Sequence, residues 1–229
     1  MIQDRILRLQ SHISSICQRL GRNPKEIILV GVTKIASVEG IEEAIACGVT
    51  HIAENKVQEA QKKLPALKKT FPRVTFHMIG HLQTNKVKAA LELFDMIQSV
   101  DSLKLAQEIE KQAKKLERYV DILVQVNTSG EEQKYGIDPE HVFPLIEEIA
   151  KFKWVRMRGL MAMAPLTDDK KMIRNSFREL KEIRDKVAEI FQGFPNVEMK
   201  YLSMGMTDDY GIAIEEGSNM LRIGRGIFA

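Results

Sequence analysis

Apolar residues recur along this chain at two periods, one helical and one strand-like, and the two alternate regularly. From Ile2, the positions Ile6, Leu9, Ile13, Cys17 and Leu20 follow at steps of three and four, the period of an amphipathic helix, which Gly21 ends. The run Ile27-Ile28-Leu29-Val30-Gly31-Val32-Thr33-Lys34 comes next, between Pro24 and Ser37, and reads as a strand buried on both faces. Side chains alternate along a strand, so Ile28, Val30, Val32 and Lys34 share one side while Ile27, Leu29 and Thr33 face the other. Lys34 thus stands as a cation at the end of an apolar row.

The same alternation continues to the C-terminal end. Short apolar runs at 49–53, 74–79, 96–100, 120–126, 155–163, 197–203 and 220–223 predict seven more strands. Helical spacing fills the intervals: Ser37 caps a helix to Cys47, Phe71-Pro72 breaks a lysine-rich one, and residues 82–94 and 102–118 supply two more. A polar loop runs from Asn127 through Lys134 to Gly136, Pro139 opens a helix to Phe152, the longest helix covers 168–191, and a short one covers 207–216. Eight strands alternating with helices predict an α/β chain folded as a single closed (β/α)8 barrel of the TIM type, one domain over residues 1–229, with an extra N-terminal helix. An open doubly wound sheet is the alternative, but no G-x-G-x-x-G follows the first strand.

Composition narrows the function classes. The 229 residues are 44% hydrophobic and 28% charged, an ordinary globular balance. Net charge is only +3, and the lysine pairs lie among acidic residues, which reads as solvated helix faces and not as a nucleic-acid stripe. No run of 18 apolar residues occurs and the charged N-terminus lacks a secretory core, so a cytoplasmic protein without a membrane segment is expected. Cys17 and Cys47 read as reduced, buried hydrophobes, and His77 and His81, with Gly80 between them, make a poor metal pair.

Barrels of this kind place their chemistry at the C-terminal ends of the strands, with phosphate groups in the loops after strands seven and eight. Here those ends are Leu202-Ser203-Met204-Gly205-Met206-Thr207 and Leu221-Arg222-Ile223-Gly224-Arg225-Gly226. Glycines there let backbone N–H groups approach an anion, and Ser203 adds a hydroxyl. Arg222 alternates with Leu221 and Ile223 and so points inward, beside Lys34 on the first strand that a closed barrel pairs with the eighth. Two inward cations beside an anion cradle fit a phosphorylated aldehyde, with a desolvated Lys34 as the nucleophilic amine. Two plainer readings stay open: Lys34 snorkels into water, and Arg222 pairs with an acid such as Glu54.

The runs VGVTK (30–34), AENKVQE (53–59), FHMIGHLQTNK (76–86), RGLMAMAP (158–165), LSMGMTDD (202–209) and RIGRGIF (222–228) resemble the pyridoxal phosphate homeostasis protein family, single-domain relatives of the alanine racemase barrel. The resemblance implies the type III pyridoxal-phosphate fold without a C-terminal β domain, and vitamin B6 homeostasis as the role. It implies that Lys34 forms the internal aldimine and Arg222 faces the pyridine nitrogen. Ser203, Gly205 and the Gly224-Arg225 backbone would hold the phosphate, and Asn55 and Met163 would line the ring pocket. Arg225 stands where threonine is frequent, which puts a hydroxyl contact there in doubt. An arginine at the ring nitrogen weakens the electron sink, and the barrel-type racemases use a tyrosine from a second domain that this chain is expected to lack. The resemblance therefore implies a monomeric carrier of pyridoxal phosphate, with apo forms of enzymes that use it as partners and no catalytic or metal site. A racemase or lyase working through Tyr135 or Tyr210, and a Schiff-base aldolase on a sugar phosphate, are the alternatives.

Overall fold

The computed structural model describes residues 1–131 and 135–229. The part of the expected polar loop at 132–134 lies outside the described residues. Strands β1 (Ile28–Val32), β2 (His51–Glu54), β3 (Thr75–Met78), β4 (Met96–Val100), β5 (Val120–Gln125), β6 (Val155–Met161), β7 (Val197–Ser203) and β8 (Met220–Ile223) follow one another around a closed barrel. Every pairing is parallel, and β8 closes on β1 with Val30 opposite Arg222. Helices α1 (Ile2–Arg19), α2 (Val38–Ala46), α3 (Val57–Thr70), α4 (Val87–Leu93), α5 (Leu103–Lys115), α6 (Val142–Ile149), α7 (Lys170–Ile190), α8 (Tyr210–Glu215) and α9 (Arg225–Phe228) surround it.

Local chemistry explains the element ends. Ser37 accepts the Gly40 N–H at 3.2 Å to start α2, Ser102 starts α5 through Leu105 N–H, and Asp169 starts α7 through Lys171 N–H at 2.8 Å. The expected helix at 82–94 begins later, because residues 84–86 form a single 3-10 turn before α4. The final helix α9, four residues long, is too short to leave a periodic pattern.

Alternation divides each strand between two environments. Outward residues such as Ile52, Phe76, Ile97, Ile122, Leu221 and Ile223 join the helices in one large apolar layer. Inward residues Val30, Val32, Ala53, Met96, Leu123, Met161 and Met220 fill the barrel itself. At Gly159 the β5 and β7 registers both shift, and a Cβ would lie 1.9 Å from the Tyr201 carbonyl oxygen with φ at +148°. Only glycine fits this close backbone approach. Helix α1 packs on α2, α8 and α9, across the seam where β8 meets β1. Arg22, just past it, donates to the Ile214 and Ser218 carbonyls at 2.6 and 2.8 Å.

Candidate functional site

The site grows from the way β1 ends. Thr33 continues the sheet through its N–H to the Ala53 carbonyl at 2.9 Å, and its hydroxyl donates to Glu54 Oε1 at 2.7 Å. Lys63 of α3 reaches both the Thr33 carbonyl, at 2.9 Å, and Glu54 Oε1, at 3.0 Å. The chain then turns, with Ala36 N–H on the Thr33 carbonyl, and that turn carries Lys34. The Lys63–Glu54 pair, with the Glu54 side chain wholly buried, thus braces the loop that presents Lys34. It also removes the acid that was the alternative partner for Arg222. Lys63 is a structural clamp here and not part of a solvated helix face.

Lys34 lines the mouth of a cavity of about 810 Å³ at the C-terminal ends of the strands. Lys34, Asn55, Met163, Arg222, Gly224 and Arg225 all share that wall. Burial of Lys34 is the expectation that fails: the residue lies in the turn beyond β1 and is exposed. The apolar row of Ile28, Val30 and Val32 does face the barrel interior, but it stops one turn short of the amine.

Ser203 and Gly205 lie outside the residues that line the cavity. Register explains the first: Ser203 pairs with Met220, one layer below Arg222, and its hydroxyl accepts from Arg222 Nη1 at 2.7 Å while donating to Gln98 Oε1 at 2.7 Å. Gly205 is required for packing, because a Cβ would approach that of Ala213 to 2.6 Å at φ +97°. Its carbonyl accepts the Arg222 N–H at 2.9 Å.

Arg222 is 4% exposed and makes no ion pair among the described residues; its other terminal nitrogen donates to the Ala162 carbonyl at 2.8 Å. Burial pulls its guanidinium down to about 10 and Asp209 opposes this, so the charge persists at neutral pH. Burial pushes the Asp209 carboxyl up, against the N–H of Met206 that it accepts.

Sequence reasoning missed several wall residues. Among the described residues, Lys56 and Lys86 bring the lining cations, with Lys34, Arg222 and Arg225, to five against the one carboxylate of Asp208, which Arg225 engages. Such a mouth draws anions. Thr207 supplies a hydroxyl on the wall where Arg225 replaces the common threonine, and it accepts the Gly226 N–H at 3.3 Å. On the opposite side His81 stacks on Tyr135 with centroids 4.2 Å apart and approaches Asp101 at 3.4 Å. Tyr210 faces away from the cavity and bonds His12. Among the described residues no cluster of three or more His, Cys, Asp or Glu is placed to hold a metal.

The model of the alanine racemase N-terminal domain matches residues 7–229. The pyridoxal phosphate homeostasis protein of Aquifex aeolicus is 39% identical over 225 residues, 98% of this chain and 96% of that one. The chain belongs to the pyridoxal phosphate homeostasis protein family. The family member of that name from Haemophilus influenzae is 35% identical across 99% of this chain and 94% of its own. Among solved structures, PipY of Synechococcus elongatus with pyridoxal phosphate bound superposes at TM-score 0.85, 32% identical, with both chains fully covered. The alanine racemase of Clostridium difficile shares the barrel alone, at TM-score 0.74 and 18% identity, over 96% of this chain and 55% of that one.

Proposed function

We propose that this protein holds pyridoxal phosphate in the barrel mouth and takes part in intracellular homeostasis of that cofactor, and so in amino-acid and keto-acid balance. The observation that carries the reading is the convergence of Lys34 and Arg222, from the two strands at the barrel seam, on one cationic cavity. The donor set fits the group: an amine at the mouth, a buried guanidinium below, and a wall of Thr207, Gly224 and Arg225 for a phosphate. When bound, pyridoxal phosphate supplies an aldehyde carbon conjugated to an electron-withdrawing pyridine ring.

Lys34 is the attachment point in this reading, held in place by the Lys63–Glu54 brace. Arg222 can only donate hydrogen bonds, so facing the pyridine nitrogen it leaves that nitrogen unprotonated and the ring a weaker electron sink. Asn55 and Met163, on the cavity wall, would flank the ring. The cytoplasm is the compartment, a monomer the working form, and enzymes awaiting the cofactor the recipients. Among the described residues no helix is long and apolar enough to cross a membrane.

Borohydride reduction of the protein loaded with pyridoxal phosphate, followed by peptide mass spectrometry, tests this. The label is expected on Lys34, and Lys34→Ala is expected to lose the covalent adduct while keeping weaker, phosphate-dependent binding. A label on any other amine would end the proposal. Tyr135 on the cavity wall favours a second reading, a racemase or lyase. That reading requires exchange of an amino acid's α-hydrogen with solvent, and a panel of amino acids showing none would discard it.

A further inference from the structure

The interior of a (β/α)8 barrel is normally filled by branched apolar side chains. Here a line of polar side chains crosses it. His51 starts β2 at the N-terminal end of the barrel, and His77, Gln98, Ser203 and Arg222 lie on β3, β4, β7 and β8. The links measure 2.9 Å from His51 Nδ1 to His77 Nε2, 3.0 Å from His77 Nδ1 to Gln98 Nε2, 2.7 Å from Gln98 Oε1 to Ser203 Oγ, and 2.7 Å from Ser203 Oγ to Arg222 Nη1. His77, Gln98 and Ser203 are wholly buried, and a buried polar group without a partner is costly, so each link constrains the next.

The direction of every bond follows from one end. A guanidinium only donates, so Ser203 Oγ accepts and its own proton goes to Gln98 Oε1. That fixes the amide, whose Nε2 donates to His77 Nδ1 and lies 3.2 Å from the Met220 sulfur. His77 Nδ1 is then bare, its proton sits on Nε2, and it donates to His51 Nδ1. Burial agrees, holding the His77 imidazole down to about 3 and lowering His51 as well, so that both are neutral.

We propose that Ser203, Gln98 and His77 are positioning residues that hold Arg222 against the cavity floor, and that Arg222 in return fixes the tautomers of His77 and His51 at the far end of the barrel. The cavity's reading as a cofactor site enters only the second measurement below.

Nitrogen-15 NMR of the histidine rings decides the first. His77 is expected in the Nε2–H tautomer alone between pH 6 and 8. Ser203→Ala frees the amide to rotate and is expected to give a mixture of tautomers, while Ser203→Thr restores the single form. A wild-type His77 carrying its proton on Nδ1, or an unchanged tautomer in Ser203→Ala, would overturn the proposal; a polar plug of purely structural role predicts the latter. Because this experiment uses the protein alone, it stands whether or not the cofactor reading survives. The second measurement is release of pyridoxal phosphate, followed by absorbance after dilution. Ser203→Ala is expected to speed it about ten- to a hundredfold, the span one hydrogen bond to a charged group is worth. An altered tautomer with an unaltered release rate would refute the positioning of Arg222.

Discussion

The two faces of the same eight strands are built from different material. Outward residues meet the helices in a layer that holds Phe76, Phe94 and Phe177, fully buried. Inward residues include three methionines, Met96, Met161 and Met220, beside the hydrogen-bonded line from His51 to Arg222. Strand alternation therefore separates two environments at every second residue: apolar packing against helices outside, a mixed apolar and hydrogen-bonded filling inside. Methionine adapts its shape readily, which suits an interior that must accommodate fixed polar groups.

Substitutions on the two faces should separate accordingly. The largest effect is expected from Gly159→Ala, whose added carbon meets the Tyr201 backbone on neither face but within the sheet; soluble, folded protein should be lost by circular dichroism. Phe177→Ala in the outer layer should cost about 3–5 kcal/mol in urea unfolding, whereas Met220→Leu inside should cost less than about 1.5 kcal/mol. A reversed order would remove the distinction. His77 sharpens it through pH. Its folded value of about 3 lies below the unfolded value, so between about pH 6.5 and pH 3 the unfolded chain takes up a proton that the folded one refuses. Stability should fall as pH falls through that range, by up to about 1.4 kcal/mol per unit from this group, and His77→Gln should show a shallower slope. The smallest effect is expected from Lys34→Ala, within about 0.5 kcal/mol of wild type in the same assay, because the residue is exposed.

Much of this architecture is legible in the residues. The runs at 96–100, 197–203 and 220–223 are strands to the residue: the first and last are buried on both faces, and the middle one alternates half-buried and exposed positions before its buried end. Arg222 was readable as inward from its alternation with Leu221 and Ile223. What escaped depends on register between distant strands. Ser203 looks like an anion ligand in its own loop, and only the pairing with Met220 drops it below the guanidinium. Lys34 looks desolvated because the row before it is apolar, yet the strand ends at Val32 and the turn lifts the amine to the rim. Lys56, Lys86 and Thr207 lay inside the motifs that carry the resemblance, but nothing local shows that three separate loops converge.

The seam between β1 and β8, with α1 lying across it, sets when the molecule can begin to work. The amine comes from the earliest strand to leave the ribosome and the guanidinium from the last. Seven strands on a nascent chain would leave β1 with an open edge and no facing arginine. A cavity that joins the two cations therefore exists only once the eighth strand has closed on the first.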